Sequence, residues 1–447
     1  MKYGFLLFLF GLFSVASAIR CNSTNSCPED SPCCNQYGEC GTGAYCLGGC
    51  DIRYSYNISA CMPMPRMSSF EENFKDISVI GKQEEYLGNA SEYDWVYTGY
   101  IDSYDDALLL QMPNQSTGTV VSSTKYLWYG RIGATLKSSR DRGVITAFIT
   151  FSDVQDEIDF EFLGYNLTAP QNNYYAQGIL NYTNARNSST SDTFENWHYY
   201  EIDWKEEELS WYVDGEKVRT VKKEDTWNTT TEEYNYPQTP SRIQLSLWPG
   251  GSNLNALGTI EWAGGAINWD SEDIQKYGYY YAYFKNLTVE AYDLPDFVQH
   301  RSNTSISKYH AFLYNSTKGF EENIFLTDRK TWLGSGDATG FDPQNEEEDK
   351  VETTKIVSSS GSHVVTKTTV KTKNTSGVTV KVPTALSSTT TTEEWTGGFV
   401  QNSKSTSAAG NSSGSGKSSS GAMRGYTAGS IVAGAIAAGV GMFVFAL

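Results

Sequence analysis

Asp156-Glu157-Ile158-Asp159-Phe160-Glu161-Phe162-Leu163-Gly164 alternates strictly from Glu157 onward. In an extended chain, successive side chains point to opposite faces. Ile158, Phe160 and Phe162 therefore form one apolar face, and Glu157, Asp159 and Glu161 an acidic one. The first face asks for a second layer to bury it. The second lines a surface or a cleft.

Similar strands surround it. Val144 to Phe151 is a β-branched and aromatic run, Tyr199 to Trp204 alternates, and Gln244–Leu247 and Leu287–Tyr292 read as strands. Leu209–Val213 and Lys217–Val221 flank Asp214-Gly215, a dipeptide suited to a two-residue hairpin turn. Short strands separated by turns over residues 62–295 predict an all-β fold, a two-sheet sandwich. Tyr174, Tyr175 and Trp211 read as core aromatics.

The acidic spacing can be set against chemistry. Residues four apart on a strand are ~13 Å apart at Cα, and two Glu side chains leaning together bring their carboxyls to about 5.5 Å. Retaining glycosidases place their carboxyls ~5–5.5 Å apart, inverting ones ~6.5–9.5 Å. Glu157 and Glu161 thus suit a nucleophile and an acid/base, with Asp159 between them as a helper sharing a proton with Glu157. A merely solvated polar face is the competing reading. Three like charges without an interleaved Lys or Arg are costly on a strand, which favours a catalytic purpose. A calcium loop fails because the required turn glycine is missing. Gln244, Ser246 and Trp248 fall on one face of their strand, and Pro249-Gly250-Gly251 turns the chain away and exposes the indole as a sugar platform.

All 8 cysteines lie between Cys21 and Cys61. So small a segment cannot hold a conventional core, so disulfides must stabilise residues 19–61. Eight cysteines allow 105 pairings, and spacing does not choose among them. Zinc is the alternative, but no His lies nearby and exported cysteines oxidise.

The ends speak of location. Residues 1–18 have one early charge, an apolar run and Ala16-Ser17-Ala18, the pattern of a signal peptide. Residues 428–447 are apolar, with small residues at 411–421 upstream and no charge following, the pattern of a GPI-attachment signal. Residues 351–427, rich in Ser, Thr, Lys and Gly, are expected to be a disordered, O-glycosylated stalk. Residues 296–350 read as a connecting segment. Thirteen N-x-Ser/Thr sequons agree with secretion.

The chain has 447 residues and a net charge of −18. That balance argues against nucleic acid as the main partner. Its 30 Tyr, 20 Phe and 11 Trp exclude a wholly disordered chain.

Two resemblances follow from these residues. Cys33-Cys34-Asn35-Gln36-Tyr37-Gly38-Glu39-Cys40-Gly41 with Tyr45-Cys46 resembles the hevein-type chitin-binding module. The resemblance implies bridges Cys21–Cys34, Cys27–Cys40, Cys33–Cys46 and Cys50–Cys61, and a sugar platform of Asn35, Tyr37, position 39 and Tyr45. Position 39 is Glu where the family stacks a ring, which predicts weak N-acetylglucosamine binding.

Glu157-Ile158-Asp159-Phe160-Glu161, with Trp197–Trp204 and Ser246–Gly251, resembles glycoside hydrolase family 16, a β-jelly-roll family. The whole layout resembles its Crh-type chitin–glucan transglycosylases of fungal walls. That resemblance implies Glu157 as nucleophile, Glu161 as proton donor and acid/base, Asp159 as helper, and Gln244, Trp248 and Thr259 in the sugar cleft. It also implies chitin as donor, β-glucan as acceptor and a GPI-anchored wall location. A monomer needing no cofactor or metal is expected. A hydrolase of the same fold and a non-catalytic wall lectin are the alternatives.

Overall fold

Burial divides the carboxylate strand as its alternation predicts: Ile158, Phe160 and Phe162 enter the main apolar core. The computed structural model describes residues 19–299 and 308–340. Beyond these it describes only backbone pairing of Thr354–Ser359 with Val364–Thr369 and of Phe399–Gln401 with Phe443–Phe445. The leader, the acidic run at 346–349, the attachment region at 411–421, and most of the stalk and apolar tail lie outside the described residues.

Two eight-stranded sheets face each other. One runs, in spatial order, Arg186–Asn187, Gln171–Tyr175, Glu157–Leu163, Ile145–Ser152, Ser241–Trp248, Thr119–Ser123, Trp95–Thr98 and Ile80–Lys82. The other is built around Gly130–Lys137, His198–Trp204, Glu208–Val213 and the long strand Tyr279–Ala291. Phe148, Phe160, Tyr200, Ile202, Trp211, Leu245 and Phe284 fill the space between them. Tyr200 meets Phe160 and Phe162 edge-on, with centroids 5.2 and 4.7 Å apart, an arrangement its ring quadrupole favours. The Trp211 indole donates to the main-chain oxygen of Asp159 at 3.0 Å, so a buried donor is satisfied and the middle of the carboxylate strand is pinned from behind. The expected hairpin turns at Asp214 and Gly215, both with positive φ (51° and 84°).

The cysteine-rich module carries the four bridges that the hevein resemblance implies: Cys21–Cys34, Cys27–Cys40, Cys33–Cys46 and Cys50–Cys61. It is no separate bead. Cys33, Cys46, Leu47, Cys50 and Ile52 belong to the same apolar cluster as the sandwich core.

The segment read as a connector is also part of the fold. Ala311–Tyr314 pairs with Ile324–Thr327 and with Met64–Pro65, burying Phe312, Tyr314, Ile324 and Leu326. Its continuation straps the module, since the Gly43 N–H donates to the Ala338 carbonyl at 2.7 Å. The fold therefore extends past residue 295, where the long run of alternation ends.

Candidate active site

Antiparallel pairing places directly opposed residues on one face, so the register defines what surrounds each carboxyl. Glu157 lies opposite Tyr175 on one side and Phe151 on the other, with Arg242 next in the row. Asp159 lies between Asn173 and Ile149, followed by Gln244. Glu161 lies between Gln171 and Ala147, followed by Ser246. Leu163, Ile145 and Trp248 form the last row. All three carboxylates thus share one face, away from the sandwich core, with Gln244 and Trp248 on the same face.

The carboxyls are nearly shut off from solvent: Glu157 is 4 % exposed, Asp159 0 % and Glu161 3 %. Burial pushes all three well above the usual carboxylate range. The Glu161 charge adds to this at Glu157, while a hydrogen bond from Asp159 opposes it. At Asp159 the Glu157 charge and that same hydrogen bond raise the value further, and Arg219 opposes them. At Glu161 the Asp159 charge adds to burial. Neither Asp159 carboxyl oxygen receives an N–H or a neutral O–H from a neighbour. Glu157 Oε1 and Glu161 Oε1 are likewise buried without a hydrogen-bond partner among the described residues. All three carboxyls are therefore inclined to hold protons, since like charges this close and this buried are costly to ionise together.

The other expected residues divide. Trp248, expected as an exposed platform, is instead buried, because Tyr37 and Trp262 close over it, the latter stacked at a centroid distance of 6.0 Å. Thr259 is buried in the short helix Leu257–Trp262, which is tied to the carboxylate face through Trp262, whose indole donates to Gln171 Oε1 at 2.8 Å. Asp156, at the start of the quoted stretch, belongs to the scaffold: it accepts from the main-chain N–H of Gln177 and Gln238 and from Thr239 Oγ1.

The expected open platform on the module is not what the structure has. Asn35 Oδ1 accepts the N–H groups of Tyr37 and Glu39, closing its own turn. Glu39 is buried in an ion pair with Arg20 at 3.3 Å. The Tyr45 ring lies against Gly41 and is only partly exposed. Tyr37 is 7 % exposed and clusters with Val120, Ile145, Leu163, Trp248 and Trp262 of the catalytic sheet. The physical reason is that one tyrosine ring can bury against two indoles or face water, and burial gains more.

Sequence reasoning misses Gln171, Asn173, Arg242 and Trp262, and it expects Tyr175 in the core. Tyr174 and Trp211 do lie in or beside that core, but Tyr175 points to the acidic face, opposite Glu157. Extending the alternation from Gln244 back to Arg242, and from Glu157 across to the next strand, would have found four of the five.

The module is seated through polar contacts too. Arg53 donates to the Gln177 carbonyl at 3.0 Å, and Asp153 accepts from the Gly49 N–H at 2.8 Å and the Tyr126 hydroxyl at 2.6 Å. Burial pushes Asp153 up to about 7, with Tyr126, Arg242 and Gly49 opposing. The folded carboxyl therefore holds a proton above pH ~4 where the unfolded one has lost it, so folding takes up protons. This contribution is complete below the unfolded value and disappears as the pH rises through about 7. Its full size is on the order of 4 kcal/mol, from 1.36 kcal/mol per unit. Denaturant unfolding from pH 4 to 8 should show a smaller fall in stability for Asp153→Asn than for the unmodified chain. Parallel curves would contradict the assignment.

Comparison with known proteins follows the same lines. Residues 89–264 match the profile of the Glycosyl hydrolases family 16. The chain is 61 % identical over 446 residues to the Crh-like protein UTR2 of Candida albicans, covering 94 % of this chain and 93 % of that protein. It is 47 % identical to the Congo red hypersensitive protein 2 of Saccharomyces cerevisiae, over 76 % of this chain and 73 % of the other. Among solved structures, the Crh5 transglycosylase in complex with NAG shares the fold at a TM-score of 0.50 and 23 % identity, covering 62 % of this chain and 100 % of that one. The chain belongs to the Crh-like enzymes of glycosyl hydrolase family 16.

Proposed function

We propose that the chain is a retaining transglycosylase that cuts chitin and joins the released chain to β-glucan. The observation that carries this reading is the one buried sheet face holding Glu157, Asp159 and Glu161 in successive rows. Membership in the Crh-like family supports chitin as donor and β-glucan as acceptor.

The chemistry proceeds in two displacements. The Glu157 carboxylate attacks the anomeric carbon and forms an ester, while the bond to the leaving sugar oxygen breaks and that oxygen takes the Glu161 proton. Asp159 orients Glu157 and spreads its charge. Once Glu157 is esterified its negative charge is gone, so Glu161, which has given its proton to the leaving oxygen, can remain a carboxylate. It then takes the proton of an acceptor hydroxyl, whose oxygen attacks the same carbon and releases Glu157. Gln244, Trp248 and Thr259 are assigned to sugar binding, with Gln171, Asn173 and Tyr175 bordering the carboxyls. A buried site favours transfer, because water reaches the ester less easily than a bound acceptor.

The leader exports the chain to a compartment where four disulfides persist, and the apolar tail gives way to a GPI lipid holding the head above the membrane on its Ser/Thr-rich stalk. The test is incubation with chitin oligomer and a fluorescent β-glucan acceptor. A labelled hybrid product is expected. Release of reducing ends without any hybrid would make the enzyme a hydrolase.

A further inference from the structure

The carboxylate face is covered by this chain's own cysteine module. The turn at Asn35–Gly38 lies over the strand Ser241–Trp248, two strands and about 10 Å across the sheet from Glu157–Leu163. Gln36 Oε1 accepts from Arg242 Nη2 and from Gln244 Nε2, each at 3.2 Å. Tyr37 joins Trp248 and Trp262 in one buried cluster.

Arg242 makes this arrangement unusual. It is 4 % exposed and forms no ion pair among the described residues. Asp153 acts on it only from beyond ion-pair distance, and a buried guanidinium without a carboxylate in contact is expensive unless its donors are used; the partner found here is an amide oxygen. The module backbone at Gly48 lies directly on that guanidinium, where any added Cβ would fall 2.3 Å from Nη1. A carboxamide oxygen held by Arg242 and Gln244, with an aromatic ring seated beside two indoles, presents the polar and flat features of an N-acetylated sugar.

We propose that the turn Gln36-Tyr37 occupies a sugar subsite of the closed enzyme, with Arg242 and Gln244 as the pair that reads an acetamido oxygen, and that an N-acetylated sugar chain opens the groove by displacing this turn. The proposal deepens the reading of the site as one for chitin and rests on it. The module remains attached during opening, because the strap at Gly43–Ala338 and the apolar contacts of Leu47 and Ile52 hold its other end. Self-occupancy lowers apparent affinity by the fraction of time the groove is open.

The test uses the full chain carrying Glu157→Gln, so that bound sugar is not consumed, and reads binding of chitin and β-glucan oligomers by calorimetry. Gln36→Ala removes the acceptor and should tighten chitin-oligomer binding about tenfold. Gln36→Glu gives Arg242 a carboxylate and should weaken it about tenfold. Opposite signs at one position cannot come from a loss of folding. Gly48→Ala, which lifts the module off Arg242, should act in the same direction as Gln36→Ala. A gain for the β-glucan oligomer alone would keep the displaced turn and overturn chitin as its displacer. Equal affinities in all variants, or weaker binding in each, would overturn the proposal outright.

Discussion

Glu157→Gln will reduce transfer by about 10⁴-fold or more while leaving the fold and oligosaccharide binding in place, because the amide keeps the side-chain volume but cannot form the ester. The strand is held from behind by Ile158, Phe160, Phe162 and the Trp211 indole, none of which senses the change. Substitution by Ala allows a sharper reading. It opens space on the nucleophile's side of the anomeric carbon, and azide should enter there and restore turnover of a donor with a good leaving group. Because azide replaces only the first displacement, the product carries inverted configuration. No rescue, or a retained product, would place the nucleophile elsewhere.

Glu161→Gln has an equally large expected effect, but one that depends on the leaving group. A sugar oxygen leaves poorly without a proton, so transfer from chitin should fall by about 10²–10⁴-fold. A fluoride leaving group needs little protonation, so ester formation from a glycosyl fluoride should remain within about tenfold of the unmodified enzyme. The second displacement, which needs Glu161 as base, should then be slow, and the ester should accumulate. The pH profile separates the same roles. Burial raises Glu161, so the unmodified enzyme keeps its acid to higher pH, and its alkaline limb reports loss of that proton. Glu161→Gln should lack that limb. Equal losses with both donors, or an unchanged profile, would assign the acid to another group.

The parts of the molecule readable from sequence are those in which alternation has one meaning. The strand Glu157–Leu163 has apolar and acidic residues in strict turn, so its faces follow from the residues alone. The strand Tyr279–Ala291 was foreseen only from Leu287 onward, because Tyr279-Tyr280-Tyr281 and Tyr283-Phe284 are aromatic on both faces. Tyr280 and Phe284 go to the core while Tyr279, Tyr281 and Tyr283 remain partly exposed, a division that hydrophobicity does not mark. Tyr174-Tyr175 is ambiguous for the same reason. The pairing of the cysteines came from resemblance rather than spacing.

What lay beyond reach was contact between distant segments. The carboxylate face was legible, but its cover was not: Gln36 and Gln244 are 208 residues apart, and nothing local to either names the other. The segment 308–340 is similar. Its few apolar residues do not look like a layer until Ala311–Tyr314 is seen completing a three-stranded sheet with Met64–Pro65.

The most direct test of the central claim is to trap the ester. The Glu161→Gln chain, mixed with a fluoride of a chitin oligomer and analysed by intact mass and peptide mapping, should gain the mass of one oligosaccharyl group, the whole donor less fluoride, on the peptide containing Glu157 and on no other. Turnover of the donor with no such adduct, or an adduct on a different residue, would contradict the account.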